Sequence, residues 1–94
     1  MPSIDVRVRN PSGLHARPAT TFTEAAARFE SRITIENLDR SSRAVDAKSI
    51  LFLLTIGVLS GHRVRITADG PDADAALATL RDLIEAGLGE AAEA

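Results

Sequence analysis

The 94-residue chain has 45% hydrophobic residues and a net charge of −2, from 11 basic and 13 acidic residues, which is the composition of one ordinary globular domain. The near balance of charge and the three aromatic residues argue against nucleic-acid binding, and the absence of cysteine excludes disulfides, thiolate metal sites and a cysteine nucleophile. No apolar run is long enough for membrane insertion and the first residues lack the layout of a signal peptide, so we expect a cytoplasmic location.

The first half of the chain predicts a strand, a helix and a hairpin. Apolar and polar residues alternate over residues 4–9, which is typical of a strand with one buried face. Turn-forming residues follow at 10–13, and from Ala16 apolar residues recur at three- and four-residue intervals, which predicts a helix that begins directly after His15. Alternation over 32–36 and 44–47 predicts two strands that form a hairpin.

The second half predicts a short helix, a strand and a longer helix. Ser49 stands where the N-cap of an apolar helix over 50–56 should be, and alternation over 63–68 predicts a fourth strand. Asp72 can cap a last helix with an apolar stripe over 73–84. The order βαββαβα predicts an α+β fold, a two-layer open-faced sandwich with a four-stranded, mostly antiparallel sheet and three helices on one face.

The domain is expected to cover residues 1–88, and the Glu- and Ala-rich residues 89–94 to form a frayed tail. No carboxylate or second histidine stands at ligand spacing from His62, so His62 is interpreted as a surface residue, and neither a metal nor a cofactor is expected.

His15 is the residue best placed for chemistry. At the N-cap of the first helix it lies beside unpaired backbone N–H groups and the positive end of the helix dipole, which favour an anion such as a phosphoryl group and disfavour the imidazolium form. Arg17 in the same turn offers a planar set of donors to phosphate oxygens. On the residues alone, the alternative stays open that His15 ends a loop and Arg17 is a solvated charge.

Two segments resemble the HPr family, the histidine-containing phosphocarriers of the sugar phosphotransferase system. The first matches the family's active-site signature and the second, followed by Gly57, resembles its other signature: Gly13-Leu14-His15-Ala16-Arg17-Pro18-Ala19 and Lys48-Ser49-Ile50. The resemblance implies that His15 accepts a phosphoryl group on Nδ1 from phosphorylated Enzyme I and passes it to the IIA domain of a sugar permease. It also implies that Arg17 orients the phosphate and that Ala16 supplies a backbone amide.

The resemblance implies a regulatory role for Ser49. In many members of the family the equivalent serine is phosphorylated by HPr kinase/phosphorylase, which implies contact with a transcriptional regulator. A structural alternative is that Ser49 only caps the helix.

The resemblance also places partner docking on Thr20 and on the apolar residues Ile50, Leu51 and Leu54. Five consecutive apolar residues at 50–54 are more than a short amphipathic helix needs, although a fully covered helix is the alternative. The chain departs from the family at Phe52 and Leu54, where relatives often have polar or small residues, and in a longer connection over 37–43.

Several functions compete at this stage. A monomeric, stoichiometric phosphoryl carrier for sugar uptake leads, and it would not be a stand-alone enzyme. The alternatives are a carrier in a nitrogen-related or dihydroxyacetone-related relay and a regulatory binding module acting through Ser49. A hydrolase is disfavoured because no carboxylate or second base accompanies His15 to activate water.

Overall fold

The computed structural model describes residues 1–90. Its strands and helices follow the predicted order: β1 (Ser3–Arg7), α1 (Ala16–Ala27), β2 (Arg32–Asn37), β3 (Val45–Asp46), α2 (Ile50–Thr55), β4 (Arg63–Asp69) and α3 (Ala73–Glu85). The connection between β2 and β3 contains a short 3₁₀ turn, Leu38–Arg40, that no pattern in the sequence predicted. The predicted βαββαβα order is therefore confirmed.

The four strands form one open sheet in the order β1-β4-β2-β3, and every neighbouring pair in it is antiparallel. Ile66 in β4 is paired with Ile4 in β1 on one side and with Ile35 in β2 on the other. Because side chains alternate between faces along a strand, this register places the apolar residues of neighbouring strands on the same face. The expected antiparallel sheet is confirmed.

The core lies between the sheet and the helices. The strands bury alternate residues and expose the others, and α1 and α3 cover the buried face with one apolar stripe each. The fully buried large side chains of these elements are Ile33, Ile35, Val64, Ile66, Phe22, Leu80 and Ile84. The two-layer α+β sandwich is thus confirmed. None of the helices within residues 1–90 has the length and apolar character to cross a membrane.

Asp72 occupies the predicted N-cap position of α3, but its side chain makes no cap hydrogen bond. Its carboxylate instead accepts from the N–H groups of Glu30 and Ser31, both at 2.9 Å, and from the Ser31 hydroxyl at 2.5 Å. Hydrogen bonds from the Ser31 side chain and then from the Glu30 amide lower the pKa of Asp72. Asp72 therefore ties the turn after α1 to the beginning of α3.

Candidate functional site

His15 is the N-cap residue of α1, as predicted, with an extended backbone at φ −128° and ψ 163°. Its ring is half-buried and makes no cap hydrogen bond to the helix. Because α1 begins at Ala16, the N–H groups of Ala16 and Arg17 have no carbonyl partner within the helix, and Pro18 has no N–H to satisfy. The first turn contains no acidic residue, so the positive end of the helix dipole beside His15 is not neutralised there.

Ala16 adopts a backbone conformation that the sequence did not predict. Its φ of +54° lies in the left-handed region, which costs a non-glycine residue roughly 1–2 kcal/mol. Ala16 follows His15 directly, so this strained peptide sets the direction in which the first amides of α1 point. An alanine gives no signal in the sequence for such a conformation, because no residue preference favours it there.

The loop before His15 is held by backbone contacts to the segment after α2. Leu14 is fully buried, and its N–H donates to the carbonyl of Val58 at 3.0 Å. Gly13 has φ +59°, and a Cβ at this position would press against the Val58 carbonyl oxygen and lie 2.9 Å from the Leu59 Cα. Glycine is required at 13 both for its conformation and for this close approach.

Arg17 is exposed on the first turn of α1. Within residues 1–90 the salt bridges join Arg63 to Asp39 and Arg65 to Asp5, so the Arg17 guanidinium is not held by a carboxylate of the described chain. Thr20 is also exposed and lies one turn further along α1, on the same face as Ala16 and Arg17. The structure therefore places His15, Ala16, Arg17 and Thr20 together at one end of α1.

Ser49 is the N-cap of α2, which confirms the structural prediction for this residue. Its side-chain oxygen accepts a hydrogen bond from the N–H of Phe52 at 3.3 Å. The side chain is half-buried and keeps part of its surface accessible.

Helix α2 exposes most of its apolar side chains. Leu53 alone among residues 50–54 is fully buried, whereas Leu51 is 76% exposed and Phe52 is 56% exposed. A fully covered helix is therefore not what forms. Together with one residue that sequence reasoning missed, the exposed side chains make up what we call the apolar patch: Ile50, Leu51, Phe52, Leu54 and Leu59. Helix α2 bears every residue of the apolar patch except Leu59, and it packs against the helix that has His15 at its start.

His62 is not the plain surface residue that its sequence context indicated. It is half-buried, and its Nδ1 accepts from the Leu59 N–H at 3.1 Å and lies 3.1 Å from the Asn37 side-chain nitrogen. The contact with Asn37, which lies 25 positions away in sequence, is invisible to pattern analysis. Within the described chain, no group of three or more His, Cys, Asp or Glu side chains is arranged to hold a metal ion.

Glu90 makes a second set of contacts that sequence reasoning missed. The predicted tail began at residue 89, yet the Glu90 carboxylate hydrogen bonds to Asn10 and Ser12 in the loop before His15. Glu90 therefore belongs with the folded domain, because three donors of the loop face its carboxylate. The remainder of the predicted tail, residues 91–94, lies outside the described residues.

The chain is similar to known proteins over most of its length. Residues 2–86 match the family model described as "PTS HPr component phosphorylation site". The multiphosphoryl transfer protein of Vibrio cholerae is 46% identical over 84 residues, which cover 89% of this chain and 21% of that protein. The chain thus spans about a fifth of the length of that curated relative.

Solved structures match over nearly the whole chain. HPr-C-His from Thermoanaerobacter tengcongensis superposes with a TM-score of 0.90 at 38% identity, over 97% of this chain and 99% of that one. The phosphocarrier protein HPr from Bacillus anthracis superposes with a TM-score of 0.82 at 35% identity, over 88% of this chain and 95% of that one.

Proposed function

Because the chain belongs to the HPr phosphocarrier family of the sugar phosphotransferase system, we propose that it carries a transferable phosphoryl group on His15. The observation that supports this most is the position of His15 at the N-cap of α1, beside helix amides without an internal partner and one residue before the start of a turn that bears Arg17. An anion at this position meets backbone donors, a helix dipole and a guanidinium.

The transfer itself needs a nucleophile and charge stabilisation. The Nδ1 lone pair of His15 attacks phosphorus, the bond from phosphorus to its donor group on Enzyme I breaks, and the reverse events pass the group to a IIA domain. Oxygens of the moving phosphoryl group accept hydrogen bonds from the amides of Ala16 and Arg17 and from the Arg17 guanidinium. The chain is a stoichiometric carrier in this scheme, and its residues supply the whole site without a metal or cofactor.

A carrier must release the group as readily as it accepts it. His15 is half-buried and Arg17 is exposed, so a partner's acceptor residue can reach the phosphorus atom. Binding that stabilised phosphohistidine strongly would slow the second transfer, because only stabilisation of the transition state accelerates both steps. The exposed site fits a carrier, and we propose that this carrier acts as a monomer in the cytoplasm.

The direct test is incubation of the chain with phosphoenolpyruvate and Enzyme I, followed by mass measurement and acid treatment. We expect one phosphate per chain that acid removes and that transfers to a IIA domain on addition. A chain that takes no label under these conditions is not a carrier of this system.

The apolar patch is proposed as the docking surface for Enzyme I and IIA domains, together with Thr20. Leu51 is its most exposed member on α2. Leu51→Asp is expected to raise KM for Enzyme I about tenfold, since burying one leucine side chain in an interface contributes roughly 1.5–3 kcal/mol. Steady-state kinetics with varied Enzyme I measure this, and kcat is expected to stay within about twofold of wild type.

Thr79→Asp is the matched control for Leu51→Asp, since it adds the same charge on the exposed face of α3. An equal rise in KM for the two variants would assign the effect to charge rather than to the apolar patch.

A regulatory role is proposed for Ser49 in addition. Phosphorylation by HPr kinase/phosphorylase with ATP would add charge at the start of α2, beside the apolar patch, and alter recognition by a transcriptional regulator. We expect an acid-stable phosphate that is absent in Ser49→Ala, a variant that also loses about 1 kcal/mol of stability with the cap. Phosphoamino-acid mapping and thermal unfolding check the two effects, and an acid-stable label that persists in Ser49→Ala would exclude this site.

A further inference from the structure

Both oxygens of the Glu90 carboxylate accept hydrogen bonds from the loop before His15. One oxygen accepts from the Asn10 side-chain nitrogen at 3.1 Å and from the Ser12 N–H at 3.0 Å, and the other accepts from the Ser12 hydroxyl at 2.8 Å. These three donors, the Asn10 side chain first, hold the pKa of the Glu90 carboxyl below its usual range. Residues almost eighty positions apart in sequence are joined by one side chain.

Glu90 is itself held in place by an ordered turn after α3. Leu88 is fully buried, and its N–H donates to the carbonyl of Leu83 at 3.0 Å, while the Glu90 N–H donates to the carbonyl of Gly87 at 2.8 Å. Leu88 has φ +53° between two glycines that also have positive φ. A conformation this unusual for leucine persists only where its surroundings impose it, and here burial of the side chain does so.

Asn10 transmits the position of Glu90 to the residues just before His15. Its fully buried side-chain nitrogen has two N–H bonds, and these go to Glu90 and to the carbonyl of Gly13, the latter at 2.9 Å. The side-chain oxygen of Asn10 has no hydrogen-bond partner within the described chain. Without Glu90 the buried amide would keep its bond to Gly13 but leave one N–H unpaired beside the oxygen that already lacks a partner, so the side chain would be held by a single hydrogen bond.

We propose that Glu90 is a positioning residue for phosphoryl transfer, which fixes the loop over residues 10–14 and thereby the backbone that presents His15. The inference rests on the proposed carrier function. In-line transfer tolerates little misalignment of the nucleophile, and a displacement of about 1 Å can cost up to 10²-fold in rate. Loss of the Glu90 contacts therefore acts on the rate of transfer at saturating partner rather than on partner binding.

The test compares Glu90→Ala and Glu90→Gln in the full chain with phosphorylated Enzyme I as donor. Glu90→Ala is expected to lower kcat about tenfold, with KM for Enzyme I within about twofold of wild type. Glutamine can accept from Asn10 and Ser12 with its oxygen and donate to the Ser12 hydroxyl, so Glu90→Gln is expected to restore most of kcat. Glu85→Ala, which removes an exposed carboxylate at the end of α3, is the matched control and should behave as wild type.

A readout independent of activity is hydrogen exchange at the Ser12 amide, which should speed up in Glu90→Ala and stay slow in Glu90→Gln. The inference is overturned if kcat of Glu90→Ala equals that of wild type, if Glu90→Gln is as slow as Glu90→Ala, or if the loss merely follows the unfolded fraction in a thermal melt. A wild-type chain that takes no label refutes the carrier function and this inference with it. A labelled wild type with an unaffected Glu90→Ala refutes only the role of Glu90.

Discussion

Replacement of His15 by alanine is expected to abolish acid-labile phosphorylation by phosphoenolpyruvate and Enzyme I. In the proposed scheme the acid-labile phosphate is carried on an imidazole nitrogen, and the chain has two histidines. His15 is the one at a helix N-terminus beside Arg17. Labelling of wild type and variant, with mass measurement before and after acid treatment, gives the answer directly.

The second histidine provides the control for His15→Ala. His62 accepts a hydrogen bond at Nδ1 from the Leu59 N–H, so the nitrogen that would attack phosphorus is occupied. His62→Ala is therefore expected to keep the full label while losing some thermal stability, because a hydrogen bond at a half-buried site is removed. His15→Ala should stay within about 0.5 kcal/mol of wild type, since the His15 ring makes no cap hydrogen bond. A label that survives in His15→Ala and vanishes in His62→Ala would show that His62, and not His15, carries the phosphoryl group.

The order of elements could be predicted because local patterns determine it. Ile33 and Ile35 alternate with exposed or half-buried residues along β2, and the stripe that includes Leu80 and Ile84 recurs at helical spacing along α3. Both patterns reflect burial of one side of an element, which depends on near neighbours in sequence. The beginning of α1 after His15 was predictable for the same reason, from turn residues followed by a helical pattern.

Contacts between distant segments could not be predicted in this way. Asp72 is suited to capping α3, yet it binds the turn at Glu30 and Ser31, where three donors outweigh the local cap. Glu90 lies among small and acidic residues that indicated a frayed end, and its side chain is held by partners almost eighty positions away. Periodicity says which face of an element is buried, but it does not say which polar groups meet when the elements pack.

The site was predicted in part. The helix N-terminus and Arg17 followed from local sequence, whereas the left-handed backbone of Ala16 and the place of Leu59 in the apolar patch did not. Leu59 lies after α2, in the segment against which Gly13 packs. Because Leu59 lies outside the apolar helix that the sequence predicted, no local pattern indicated that it would be exposed.

Arg17→Ala is expected to lower kcat for phosphoryl transfer about 10²-fold with little change in KM for Enzyme I. Removal of one donor that stabilises developing charge typically costs 10²–10³-fold in rate. Arg17 is exposed and is not held by a carboxylate within residues 1–90, so the thermal stability should change by less than about 0.5 kcal/mol. Single-turnover transfer from phosphorylated Enzyme I, with thermal unfolding of the same samples, measures both quantities.

Two further variants separate orientation from charge at this position. Arg17→Lys keeps the positive charge but loses the planar pair of donors, so a rate between those of wild type and Arg17→Ala indicates that bidentate geometry contributes. Arg28→Ala removes an exposed arginine at the far end of α1 and should leave transfer unchanged. A large loss of stability in Arg17→Ala would show that Arg17 has a structural role. A rise in KM with kcat intact would show that Arg17 contributes to docking of the partner. A fall in kcat alone requires that the guanidinium acts on the phosphoryl group while it moves.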